Sequence, residues 1–146
     1  MAFIRAAQLK RINVDTTVQT KAVRYPTDAR LYHRCRERPV KMARREGVVV
    51  KQSYRHVGKR LLLASSRYAH ARQMKLARAC TRKLHTQLGR VVRSIERQVS
   101  EPSDKLSRLL ATAHRIHAQQ RQDKHKVYTV HEPEVEFIAK GKAGKP

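Results

Sequence analysis

Between Lys51 and Val99 the chain repeats apolar residues at helical spacing while carrying 13 Lys and Arg and a single acid, Glu96. Tyr54, Val57, Leu61, Ala64, Tyr68 and Ala71 step by three and four. Leu84, Leu88, Val91, Ile95 and Val99 do so again, and Met74, Ala77 and Cys80 bridge the two sets through a stutter. No proline interrupts the run, although Gly58 and Gly89 weaken it. Unbroken from Gln52 to Val99, it would be a rod of roughly 70 Å at 1.5 Å per residue, longer than a compact domain of this size. Such a rod needs helices beside it. The alternative is a compact bundle in which the segment folds back near His85 to Gly89.

The flanks supply candidates. Pro26 holds Tyr25 extended, Thr27 can cap, and Asp28 suits the positive end of a helix dipole. Leu31, Cys35 and Met42 continue a stripe, and Gly47 is a good stop, which predicts a helix over about 28–46. Pro39 lies inside it and predicts a kink or a break into two short helices. After Ser100-Glu101-Pro102, Ser103 is a natural N-cap for a further helix over about 104–122 carrying Leu106, Leu109, Leu110, Ala113 and Ile116. Elsewhere the period changes to two. Ile12, Val14, Thr16 and Val18 alternate with polar residues, and 127–131 and 135–139 read as two more short strands around His131-Glu132-Pro133. The lengths predict a small sheet of these three strands beside the waist of the rod. The last residues, Lys140 to Pro146, form a basic, glycine-containing end that reads as truncated.

The charge balance speaks about partners. Lys and Arg number 34 against 11 acids in 146 residues, a formal +23, and such a surface binds polyphosphate through counterion release. Aromatics are 5% and Trp is absent, so an ordinary core is short of material, yet 40% apolar residues are too many for a wholly disordered chain. No run approaches the ~18 apolar residues of a membrane span, and the first ten residues lack the apolar region of a signal peptide. A cytoplasmic protein without membrane contact is expected. Cys35 and Cys80 form neither a disulfide framework nor a Cys-x-x-Cys pair and fit reduced thiols within helices.

Sequence signatures of chemistry are sparse. There is no phosphate-binding loop, nucleophile elbow or His-Glu-x-x-His zinc signature. His114 and His117, three apart, could share a metal, but no cysteine or paired carboxylate accompanies them, and a solvated helix face explains them better. Cys35 and His33, two apart, point to different sides. Asp15 stands out, because Asp is disfavoured in mid-strand and a carboxylate on a sheet can hold Mg²⁺ or Mn²⁺ for phosphoryl transfer. One carboxylate cannot build such a site.

The wording Val14-Asp15-Thr16-Thr17-Val18-Gln19, then Tyr25-Pro26-Thr27-Asp28-Ala29-Arg30-Leu31, resembles the bacterial insertion-sequence transposases of the DDE type. The resemblance continues through Gln52-Ser53-Tyr54, Arg67-Tyr68-Ala69-His70-Ala71-Arg72-Gln73, Leu88-Gly89-Arg90-Val91 and Gln119-Gln120-Arg121, to His131-Glu132-Pro133-Glu134-Val135-Glu136 and Lys140-Gly141-Lys142. It covers about residues 8–146. It implies an internal fragment: a first strand of an incomplete RNase H-like core over 1–25, a three-helix insertion over 26–124 with the middle helix long, and a β-hairpin with a basic end over 125–146. The fold class so implied is mainly α with a small β-sheet, α+β. Asp15 takes the role of the first metal-binding carboxylate, with Mg²⁺ or Mn²⁺ as the complete enzyme's cofactor, while the second Asp and the Glu lie past the end of this chain. Pro39 departs from the family pattern. The resemblance implies DNA as partner, together with a second copy or a full-length transposase, and no turnover by this chain alone. The rival expectation is a basic helical nucleic-acid-binding or transposition-interfering protein without catalysis. For either, Arg60, Arg67, Arg72 and Arg90 are the expected DNA contacts.

Overall fold

Local side-chain chemistry starts and stops the helices where capping residues stand. The computed structural model describes residues 27–120 and 122–130. Helix α1 spans Asp28–Arg45, and the Thr27 hydroxyl accepts from the Arg30 N–H at 3.4 Å. It closes on Gly47, whose φ of +78° only glycine adopts without cost, with Val48 N–H donating to the Ala43 carbonyl and Gly47 N–H to that of Arg44. Helix α4 spans Asp104–Ala118, capped by Ser103, whose hydroxyl accepts from Leu106 N–H at 3.3 Å. The same hydroxyl donates to the Glu46 carboxylate and so ties the start of α4 to the end of α1.

Pro39 does not divide α1. The ring removes one hydrogen bond within the helix, but Pro39 is itself buried, and Leu31, Cys35, Val40 and Ala43 around it are core residues. Burial of that stripe outweighs the missing bond.

The long rod is overturned. Its residues form two helices, α2 over Arg55–His70 and α3 over Met74–Glu96. The chain reverses at Ala71-Arg72-Gln73, well before His85. Arg72 takes a left-handed φ of 57°, Gln73 N–H donates to the Tyr68 carbonyl at 2.8 Å, and Arg72 N–H donates to that of Ala69 at 3.1 Å. This is the same closing motif that ends α1, here built without glycine. The two helices then run side by side. The Ser65 hydroxyl on α2 lies 3.4 Å from the Ala77 carbonyl and 3.3 Å from the Thr81 hydroxyl on α3.

Helices α1 and α3 form the centre, with α2 and α4 each packed against both of them and not against each other. Leu88, Val91, Val92 and Ile95 of α3 meet Leu31, Cys35, Val40 and Ala43 of α1 and Leu106, Leu110, Ala113 and Ile116 of α4. The two glycines of the cationic run are close-packing positions. A Cβ on Gly58 would lie 2.8 Å from Arg36 Nη2, and one on Gly89 would lie 2.5 Å from His117 Nε2.

The α+β class is corrected as well: the described residues are all-α, with no strand among them. The strands expected at 12–18 and 135–139 lie outside the described residues. The 127–131 strand is described as far as Val130 and is not one. Val127 and Val130 are buried in the helical core. The Gln119 side-chain amide takes the place of a neighbouring strand for Val127: its Oε1 accepts from Val127 N–H at 3.0 Å and its Nε2 donates to the Val127 carbonyl at 3.2 Å. Arg38 donates to the Val130 carbonyl at 3.2 Å. Side chains satisfy these backbone groups, which removes the need for a ladder. An RNase H-like core is accordingly absent from the described residues. No helix among them is long and apolar enough to cross a membrane.

Candidate nucleic-acid interface

The reversal at Arg72 brings the two halves of the cationic run onto one face. The Arg90, Arg93 and Arg97 side chains fall at i, i+3 and i+7 on α3, one stripe of the helix. With Lys51, Gln52, Tyr54 and Ser94 they line a cleft where the segment entering α2 passes the end of α3. Among the described residues no carboxylate pairs with Lys51, Arg90, Arg93 or Arg97. Glu96, the one acid of the run, is turned to His114 on α4.

A second cleft adjoins the first along α3. Tyr54, Val57, Leu61 and Ala79 contribute its apolar part, and Arg82, Lys83, Thr86 and Arg90 its polar part. Tyr54 and Arg90 line both clefts. Tyr54 holds a left-handed φ of 52° and precedes α2 with no side-chain cap and no acid in the helix's own first turn.

Of the four expected contacts, Arg90 sits where the clefts meet. Arg60 and Arg67 on α2 and Arg72 at the turn are all exposed, but they line neither cleft. Lys51 comes to Arg93 and Arg97 only through the fold, because the segment entering α2 passes the end of α3. The i, i+3 and i+7 spacing of Arg90, Arg93 and Arg97 is the signal the sequence carries. Asp15, the expected catalytic and metal carboxylate, lies outside the described residues. Among the described residues no three His, Cys, Asp or Glu side chains converge to hold a metal.

His114 and His117 do not share a ligand site. His114 meets Glu96, while His117 stacks on His85 with ring centroids 4.1 Å apart, and the His117 carbonyl lies 2.9 Å from His85 Nε2. Burial, then His85, Arg93 and His114, hold the His117 pKa below the usual imidazole value. His33 is also lowered, first by burial and further by Arg36 and Arg34, against an opposing pull from Glu37. Burial pushes the Cys35 thiol up to about 12, which fits an inert core residue, and Cys80 is likewise buried.

Sequence reasoning also missed Arg36. It is 1% exposed, donates to the Ser53 carbonyl, and stands 3.9 Å from Glu37 Oε1. Burial pulls its pKa down. It fastens the segment entering α2 to α1, so a buried cation positions the exposed ones.

No family model matches the chain, and no solved structure matches it. Over 69 residues it is 48% identical to the uncharacterized protein ORF8 in the nfe locus of Rhizobium meliloti. The matched stretch is 47% of this chain and 33% of that protein. The chain thus spans about a third of the curated relative it matches.

Proposed function

We propose that this chain binds nucleic acid by neutralising backbone phosphates with the exposed cations of α2 and α3, without catalysis of its own. The observation that carries the reading is the convergence of Lys51, Arg90, Arg93 and Arg97 on one cleft with no carboxylate paired to them among the described residues. Four like charges brought together by folding repel one another, and a polyanion removes that repulsion while releasing its counterions. The formal +23 extends the attraction over the rest of the surface. The resemblance to insertion-sequence transposases supports DNA as the partner. In that setting the chain is a DNA-contacting piece rather than the piece that cuts.

The test is a titration of labelled duplex DNA at increasing salt. Affinity falls roughly a thousandfold or more between about 50 and 200 mM salt if about six phosphates are contacted. It varies little with sequence, and the DNA stays intact in Mg²⁺ or Mn²⁺. A flat salt dependence sinks the electrostatic reading. Cleavage that disappears in Asp15→Asn sinks the non-catalytic one.

A further inference from the structure

Resting on that reading, we infer that the paired clefts around Tyr54 form a seat for single-stranded nucleic acid, with unpaired bases on the apolar part and phosphates on the cations. Tyr54, Val57 and Leu61 present carbon to the groove, and Val57 is 43% exposed although apolar. Arg82, Lys83 and Arg90 stand along the same cleft, and Arg93 and Arg97 continue the charge beyond Tyr54. From Lys83 to Arg97 this cationic edge runs roughly 21 Å along α3 at 1.5 Å per residue, room for several nucleotides. An apolar surface beside an edge of fixed positive charge suits a ligand that has both a bare aromatic face and a phosphate chain. A duplex keeps its base faces stacked inside and would leave Tyr54, Val57 and Leu61 wet. An unpaired strand exposes those faces, and stacking on an aromatic side chain is tolerant of base identity.

The backbone at Tyr54 supports the assignment independently of charge. A tyrosine at φ 52° sits in a region that costs a residue with a Cβ of order 1–3 kcal/mol, and such outliers persist where the surroundings fix them. Tyr54, like Arg90, lines both clefts, and it stands between the apolar part of one and the arginines of the other.

The experiment compares a labelled oligodeoxythymidylate with duplex DNA of the same length, using the full chain at one fixed salt concentration. The single strand binds about tenfold or more tightly per molecule, and Tyr54→Ala lowers its affinity by roughly fivefold or more while duplex affinity stays within about twofold. Tyr54→Phe retains the preference. Val57→Ser, at an exposed position, lowers single-strand affinity in the same direction without altering the melting temperature, so a folding defect in Tyr54→Ala cannot decide the outcome. Equal binding of both probes, or equal losses for both in these variants, overturns the single-strand seat yet leaves salt-dependent binding standing. Failure to bind either probe removes the proposed function itself. Tighter binding to phosphatidylglycerol vesicles than to the oligonucleotide, lost in the same variants, assigns the groove to a lipid surface and overturns the proposal.

Discussion

Replacing Gly58 by alanine tests whether the buried guanidinium of Arg36 is the reason for that glycine. In an ordinary helix interior the change stabilises by about 1 kcal/mol, because alanine has less backbone freedom to lose. Here the new methyl would lie 2.8 Å from Arg36 Nη2 and 2.9 Å from Arg36 Cζ. Carbon contacts are comfortable only at about 3.5–4.0 Å, so the guanidinium must retreat by more than half an ångström. It has nowhere free to go, being 1% exposed and bonded to the Ser53 carbonyl. Overpacking of this kind costs about 1–3 kcal/mol, and loosening a hydrogen bond from a charged donor costs up to about 1.5–3 kcal/mol. With both costs set against the helix gain of about 1 kcal/mol, Gly58→Ala destabilises by about 1.5–5 kcal/mol. Urea unfolding followed by far-ultraviolet circular dichroism measures it. In an Arg36→Met background the obstruction is flexible and uncharged, and the same substitution becomes neutral or stabilising by up to about 1 kcal/mol. A Gly58→Ala chain more stable than the parent, or equal effects in both backgrounds, refutes the packing argument.

Two further outcomes follow from the structure. Arg72→Gly relieves a left-handed residue at the end of α2 and raises stability by about 0.5–1 kcal/mol in the same unfolding assay, a direction opposite to that of most glycine substitutions. Stability also depends on pH through His33 and His117, whose folded pKa values lie below the unfolded value of about 6.5. Unfolding then takes up protons, so their contribution is complete above about pH 6.5 and is lost as pH falls through that value towards the lowered ones. The melting temperature drops accordingly between about pH 7.5 and pH 5, and drops less in His117→Gln.

The elements that sequence reading located well are those set by neighbours in the chain. Thr27, Gly47 and Ser103 act over a turn or less, and the first and last helices begin where these residues place them. The break at Ala71-Arg72-Gln73 left a fainter trace. The usual glycine is replaced by an arginine held at positive φ, and the visible sign was the stutter in the apolar pattern at Met74, Ala77 and Cys80. A change of helical register and a change of helix look alike until packing decides. The strand at Val127 failed for another reason: alternation describes which side chains are buried, whereas Gln119 decides how the backbone is satisfied. Arg36 is one of 34 cations, and nothing local distinguishes it from the others. Of the candidate site, Arg90, Arg93 and Arg97 are neighbours by helical spacing alone, while Lys51 joins them only through tertiary contact.

Helix α2 meets α1 and α3 but not α4, and it contributes to the interior chiefly Gly58 and Ser65, whereas α3 buries nine residues. Amide protection in such an arrangement is uneven. The α1, α3 and α4 helices share most of the buried core, whereas α2 buries few of its own residues, so we expect its amides to exchange faster than those of α3. The proposed seat for a nucleic-acid strand therefore has one firm wall and one yielding wall. A bound strand bridging both would slow exchange in α2 far more than in α4, so occupancy would be written in the hydrogen-exchange record of one helix.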